Sequence, residues 1–210
     1  LTGHTMTLIG TDGGLLRSPA PGLDEILLAP AERVEVIVTA SLSPQASAVL
    51  RTLPYNRGGM GMMGSSSATI PLLTVNYTSA ATAAVALPGA LNSIADLGVA
   101  TTNKRLVFSS GMGMGGMGGG MMSFLIDGKS FAPSRVDLTS RVNEIEQWTI
   151  ENRSSMDHPF HLHVNHMVLT GTGTWDPTTG QALSFEAIDA PGKVDTVNVR
   201  PGEYVVVRVK

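Results

Sequence analysis

The 210-residue sequence contains no cysteine. That absence excludes a disulfide framework and any site drawing a thiolate from these residues, and it removes the usual report on redox compartment. Basic clusters are missing too. Lys and Arg number 14 against 17 acidic residues, scattered along the chain, with a net charge of −3 and a pI near 5.9; this offers no electrostatic footprint for nucleic acid. No run approaches the roughly 20 apolar residues of a membrane helix, and the opening "LTGHTMTLIG" lacks a basic segment followed by an apolar one. Neither nucleic acid nor a membrane is expected as a partner. The glycine runs lack the Lys-Ser/Thr pair that would contact nucleotide and Mg²⁺, and no serine-centred nucleophile elbow is present.

What remains is strand-forming. A hydrophobic content of 42% suffices for the core of one large β domain or two small ones. Val34, Val36 and Val38 alternate with Arg33, Glu35 and Ile37, the period of a strand with one buried face, between the turn formers "DGG" and "LSPQ". Comparable segments recur at 48–53, 70–77, 104–109, 123–126, 142–151, 161–170, 194–199 and 204–210. Short strands punctuated by Gly, Pro, Asn and Asp predict an all-β, antiparallel sandwich or barrel. The Ala-rich stretch "SAATAAVALPGALNSIADLGVATT" breaks this pattern and includes Pro88 and Gly89. It reads as an interdomain linker, residues 80–102, with room for one helical turn, between β units at 1–79 and 103–210. The start at Leu1 and the end inside the alternating "GEYVVVRVK" lead to the expectation of a fragment.

Four of the five histidines lie in "MDHPFHLHVNHM", residues 156–167. "RSSMD" supplies turn formers, and "HLHVNHMVLT" reads as a strand with Pro159 tolerated near its start. On such a strand His161 and His163 share a face, with Cβ atoms about 6.6 Å apart at about 3.3 Å rise per residue. His158, three residues before His161, falls on the opposite face. One short segment would then feed two separate metal centres. Imidazole suits copper, zinc, iron and nickel, so spacing leaves the metal open. Without a bound ion, three imidazoles this close would repel when protonated and waste hydrogen-bonding capacity. His4, which has no partner nearby in sequence, reads as an ordinary hydrogen-bonded structural histidine. His166 reads the same way, with the orienting of a metal ligand as the alternative. Asp157 reads as a turn cap, with tuning of His158 as the alternative, and Asp127-Gly128 as a hairpin turn.

"HPFHLH" resembles the third of the four copper-binding motifs of the multicopper oxidases, the blue-copper family that includes laccases and bacterial cuprous oxidases. The resemblance extends over nearly the whole chain. "TDGGLLRSPAPGLDEILLAPAERVEVIV" is similar to the end of that family's second domain, "FLIDGKSFAP" to the opening of the third, and "DTVNVRPGEYVVVRV" to the strands leading to the last copper motif. It implies tandem cupredoxin-like Greek-key barrels. Carried over residue by residue, it makes His158 a ligand of the type 1 copper that takes electrons from substrate. His161 would bind the type 2 copper, and His163 one of the binuclear type 3 pair. Those three ions form the cluster that reduces dioxygen to water. The implied substrates are phenolic or aromatic molecules, or cuprous ion, and the implied location is the periplasm or the cell exterior.

The family's first two motifs and its final His-Cys-His motif have no counterpart here. A blue copper site needs two His and one Cys. A missing polypeptide, on this chain's continuation or on another chain, is therefore expected to supply the remaining ligands.

Methionine is the second signal. Eight of the eleven Met lie in the Gly-rich runs "GGMGMMG" and "GMGMGGMGGGMM". Thioethers are soft ligands that favour cuprous ion, and glycine lets a loop wrap an ion. These runs resemble the methionine-rich segments of bacterial cuprous oxidases; the alternative is a pair of loops lying over a barrel end. Two further functions remain open: a copper-silent cupredoxin scaffold, and a protein that sequesters copper through its methionines.

Overall fold

A computed structural model of the protein describes all residues except 41–45, 59–64, 67, 79–82, 84 and 113–121. Among the described residues there is no helix, and hence none long and apolar enough to cross a membrane. The helical turn expected in the linker is not found among its described residues. Residues 85–100 run without regular structure, held by Leu91 N–H donating to the Arg17 carbonyl and by Arg208 Nη1 donating to that of Gly98.

The first half of the chain forms β1 (Met6–Thr11), β2 (Gly14–Leu23), β3 (Val34–Val38), β4 (Ser47–Arg51), β5 (Tyr55–Asn56), β6 (Ser65–Ser66) and β7 (Pro71–Asn76). They make a three-stranded sheet in the order β2-β1-β3 and the antiparallel pairs β4-β7 and β5-β6. The strand at 14–23 escaped the alternation pattern because Pro19 and Pro21 interrupt it. It is an edge strand whose register slips twice against β1, the setting in which proline costs no ladder hydrogen bond. β3 forms as expected, but its valine face is only partly covered, with Val36 still 36% exposed.

The second half forms β8 (Thr102–Met112), β9 (Met122–Ile126), β10 (Glu146–Asn152), β11 (His158–His161), β12 (Met167–Thr174), β13 (Glu186–Ala187), β14 (Thr196–Val199) and β15 (Glu203–Val209). Six of these make one sheet in the order β13-β12-β15-β10-β8-β9, parallel only between β8 and β10, while β11 pairs with β14. Among the described residues no sheet mixes strands of the two halves. Core side chains fill the space between the six-stranded sheet and the β11-β14 pair: Leu106, Phe108, Trp148, Ile150, Val197, Val199 and Val207 among them. β15 sits inside the large sheet and alternates, sending Val205, Val207 and Val209 to that core and Tyr204 and Val206 to a smaller cluster with Trp175. Asp127 and Gly128, both at positive φ, form the expected two-residue turn just after β9, between the bridged residues Ile126 and Lys129.

Two buried carboxylates bind the parallel pair. Glu146 accepts from Lys104 Nζ at 2.7 Å, Trp148 Nε1 at 2.7 Å and Ser140 Oγ at 3.0 Å. Glu151 is held by both Arg105 and Arg153. Burial alone would raise both carboxyls; the hydrogen bonds outweigh it and hold each below its ordinary value of 4.5. With folded values below unfolded ones, their contribution to stability is complete above pH 4.5 and is lost as the pH falls through the folded values. Thermal melting followed by circular dichroism should therefore drop in midpoint as the pH falls below about 4.5, near the unfolded Glu value. Glu146→Gln and Glu151→Gln should each flatten that drop.

Candidate metal centre

The histidine segment begins where β10 ends. Asn152 is fully buried, and its amide uses every group it has: Nδ2 donates to the carbonyls of Met156 at 2.7 Å and Val199 at 2.8 Å, while Oδ1 accepts from Ser154 N–H and Oγ. This turns the chain tightly and delivers it into β11, where His158 lies opposite Val199 and His161 opposite Thr196.

His158 is half-buried between aromatic rings, with Phe108 at 5.5 Å and Phe124 edge-on at 5.6 Å. Its Nε2 is buried without a hydrogen-bond partner. Burial pushes its pKa down, with the nearby Asp157 charge partly opposing, so the neutral imidazole that ligates metals is favoured. The carboxylate of Asp157 does not cap the turn. It accepts from Tyr55 Oη at 2.5 Å and Asn198 Nδ2 at 2.8 Å, because both are brought to it from other strands. A cleft of about 430 Å³, lined by Tyr55, Asn56, Asp157, Arg200 and Glu203, opens beside it.

His161 faces different chemistry. Its Nδ1 lies 2.8 Å from Thr196 Oγ1 and 3.3 Å from Asp195 Oδ1, and its ring meets that of His163 edge-on at 4.8 Å. The continuous strand expected over 161–170 is not formed. β11 stops at His161, Val164 takes a left-handed φ of 74°, and Asn165 N–H closes back onto the His163 carbonyl. The chain bends here because β11 pairs with β14 and β12 joins the large sheet; His161 and His163 meet across the bend rather than along one strand face. His166 lies exposed beyond it. His4 is buried and bonded to the Thr2 carbonyl and to Tyr77 Oη, as a structural histidine should be.

Asp195 is the ionic centre of the segment. Arg33 grips its carboxylate with two parallel hydrogen bonds of 3.0 and 2.7 Å. Burial works to raise its pKa, but the donors Arg33 and Thr196 hold it well below the carboxylate range. Asp12 accepts from the backbone N–H groups of Asp195 and Thr196, and Thr11 Oγ1 donates to the Lys193 carbonyl. None of these contacts was visible in the sequence. Those made by Thr11, Asp12 and Arg33 each join residues more than 160 positions apart, and Asp12 and Arg33 stand among ordinary turn and strand residues.

Among the described residues no cluster of three or more His, Asp or Glu is arranged to hold an ion. The donor set nonetheless fits copper in part: a half-buried imidazole biased toward its neutral form in apolar surroundings, and a separate imidazole pair. The methionine runs fall mostly on residues 59–64 and 113–121, outside the described residues. The strands bracketing them are described. β5, which precedes the first run, supplies Tyr55 to Asp157, and β9, which follows the second, supplies Phe124 to His158.

Residues 102–210 match the family model described as "Multicopper oxidase". A multicopper oxidase of Staphylococcus aureus is 34% identical over 88 residues, 40% of this chain and 18% of that protein. Among solved structures, a multicopper oxidase from Campylobacter jejuni, named a metallo-oxidase, superposes with a TM-score of 0.81 and 31% identity. It is matched over 100% of this chain and 44% of its own. A multicopper oxidase from Pediococcus acidilactici gives 0.72 and 26%, over 99% and 38%. This chain thus spans less than half the length of either solved relative.

Replacing Asn152 with Ala leaves buried groups unpaired at the mouth of β11. Each group so orphaned should cost about 1–3 kcal/mol, read as a lower denaturant midpoint in urea unfolding.

Proposed function

Because the chain belongs to the multicopper oxidase family, we propose that it is the part of a copper oxidase in which one short strand serves two kinds of copper site. His158 is the ligand of a type 1 copper, His161 of a type 2 copper and His163 of one of a binuclear type 3 pair. The observation that supports this division is the contrast across β11: His158 sits among Phe108 and Phe124, whereas His161 lies against Thr196, Asp195 and His163. When bound, the coppers supply one-electron acceptance on the His158 side and four-electron reduction of dioxygen to water on the other.

The residues of the chain hold these ligands in place. Packing between two phenylalanines orients the ring of His158, and burial favours its neutral form. Asp157 is tied to Tyr55 and Asn198, which anchors the start of β11 from both sides. The antiparallel register with β14 sets the separation of His158 from His161. With no cysteine in the chain, the thiolate and the remaining imidazoles come from polypeptide beyond these residues. The family resemblance supports work in the periplasm or outside the cell.

Cuprous ion is the favoured substrate. Each methionine run adjoins a strand that reaches the surroundings of His158, β5 through Tyr55 and β9 through Phe124; thioether sulfur suits cuprous ion, and the Campylobacter jejuni relative is named a metallo-oxidase.

In the complete, copper-reconstituted oxidase, His158→Ala should abolish the intense blue absorption of the cysteinate-bound copper while most of the other copper remains. His161→Ala should keep the blue band and lose copper elsewhere. Equal loss of one and the same copper in both variants, followed by metal analysis and electron paramagnetic resonance, would overturn the division. Deleting residues 111–120 should lower cuprous oxidation relative to phenol oxidation. An unchanged ratio of the two rates removes the ion-collecting role.

A further inference from the structure

We propose that Arg33, Asp195 and Thr196 form a hydrogen-bond relay that fixes the tautomer of His161 and leaves its Nε2 as the ligating nitrogen. The three-stranded sheet of the first half of the chain thereby aims a ligand carried by the second half. The inference rests on the reading of His161 as a copper ligand.

The argument is one of counting protons. A threonine hydroxyl has a single proton to donate. Thr196 Oγ1 lies 2.8 Å from Asp195 Oδ1 and 2.8 Å from His161 Nδ1. A carboxylate offers only lone pairs, and a hydrogen bond to a charged acceptor is the stronger of the two on offer, so the proton goes to Asp195. Thr196 then turns a lone pair toward His161. The second neighbour of Nδ1, Asp195 Oδ1 at 3.3 Å, is also an acceptor. With acceptors alone around it, Nδ1 must carry the N–H, and a neutral imidazole protonated there keeps its free lone pair on Nε2.

The outer end of the relay is anchored independently. The Arg33 guanidinium, besides its two bonds to Asp195, donates to the carbonyls of Ala31 at 2.8 Å and Asp12 at 3.2 Å, so its fork is aimed before it meets the carboxylate. Ala31 reaches that position through a left-handed φ of 77°. Asp12 clamps the backbone N–H groups of both relay residues on β14 and its approach. The turn between β1 and β2 is pressed so closely onto this segment that a Cβ at Gly13 would run into the Lys193 carbonyl. Arg33, Asp195 and Thr196 are positioning residues: they act through His161.

Two measurements on the complete oxidase test the relay. In copper-free protein labelled with ¹⁵N-histidine, the ring nitrogens of His161 should report the Nδ1–H tautomer. Thr196→Val keeps the branched shape and removes the hydroxyl, so it should shift His161 toward a mixture of tautomers. It should also weaken copper at the type 2 position by about 10–100-fold, the usual cost of losing a group that orients a metal ligand, with the blue band retained. Thr196→Ser should restore both readings. A Thr196→Val protein with unchanged tautomer and unchanged type 2 affinity overturns the relay. If Thr196→Val does not fold, Arg33→Ala probes the outer end: drift of the His161 tautomer supports the relay, and an unaltered ring overturns it. His161→Ala separates the two levels of the argument. If it retains the type 2 copper, the ligand assignment fails; if it loses that copper while Thr196→Val does not, only the relay fails.

Discussion

Asp195 is only 14% exposed and ionised, a state that costs free energy unless donors surround it. Its carboxylate accepts from the guanidinium of Arg33 and the hydroxyl of Thr196, while its own backbone N–H donates to Asp12. The position of β14 follows from that arrangement, because residues 195 and 196 lead directly into it. The position of β11 follows from β14 through the register that sets His161 opposite Thr196 and His158 opposite Val199. The lock at Asp195 is therefore a joint between the two halves of the chain and, at the same time, the floor beneath the histidines.

The opposite characters of His158 and His161 grow out of the same strand. An odd offset on an extended backbone sends two side chains to opposite sides. What they meet there is decided by the layers of the fold. One side is the aromatic margin of the core, where Phe108 on β8 and Phe124 on β9 desolvate an imidazole. The other is the seam with the first half, rich in oxygen acceptors. Burial favours a neutral ring on the first side, and hydrogen bonding orients the ring on the second. Both results suit metal ligation, reached by different physical means.

Most strands could be read directly, since alternating Val, Ile and Leu against polar residues has one meaning for a chain with a single buried face. The exceptions have local causes. Pro19 and Pro21 disguise β2, which its edge position allows it to tolerate. The apolar run after His161 hides a break, because nothing in "HLHVNH" announces that Val164 adopts a left-handed conformation. Asp157, with turn formers on its N-terminal side, suggested a cap; only the arrival of Tyr55 and Asn198 from distant segments gives its carboxylate another use.

The spacing of His158, His161 and His163, the absence of cysteine and the β-periodicity were determined by the sequence alone, for each depends on residue identity and on offsets of a few positions. They suffice to indicate the fold class and a metal-binding segment. The surroundings of each imidazole, the role of Asp157 and the grip of Asp12 and Arg33 on the segment ending in Thr196 were decided only by tertiary structure. Hydrogen bonds between groups more than 160 residues apart depend on how sheets dock, and docking is settled by the packed core as a whole and leaves no local pattern to read.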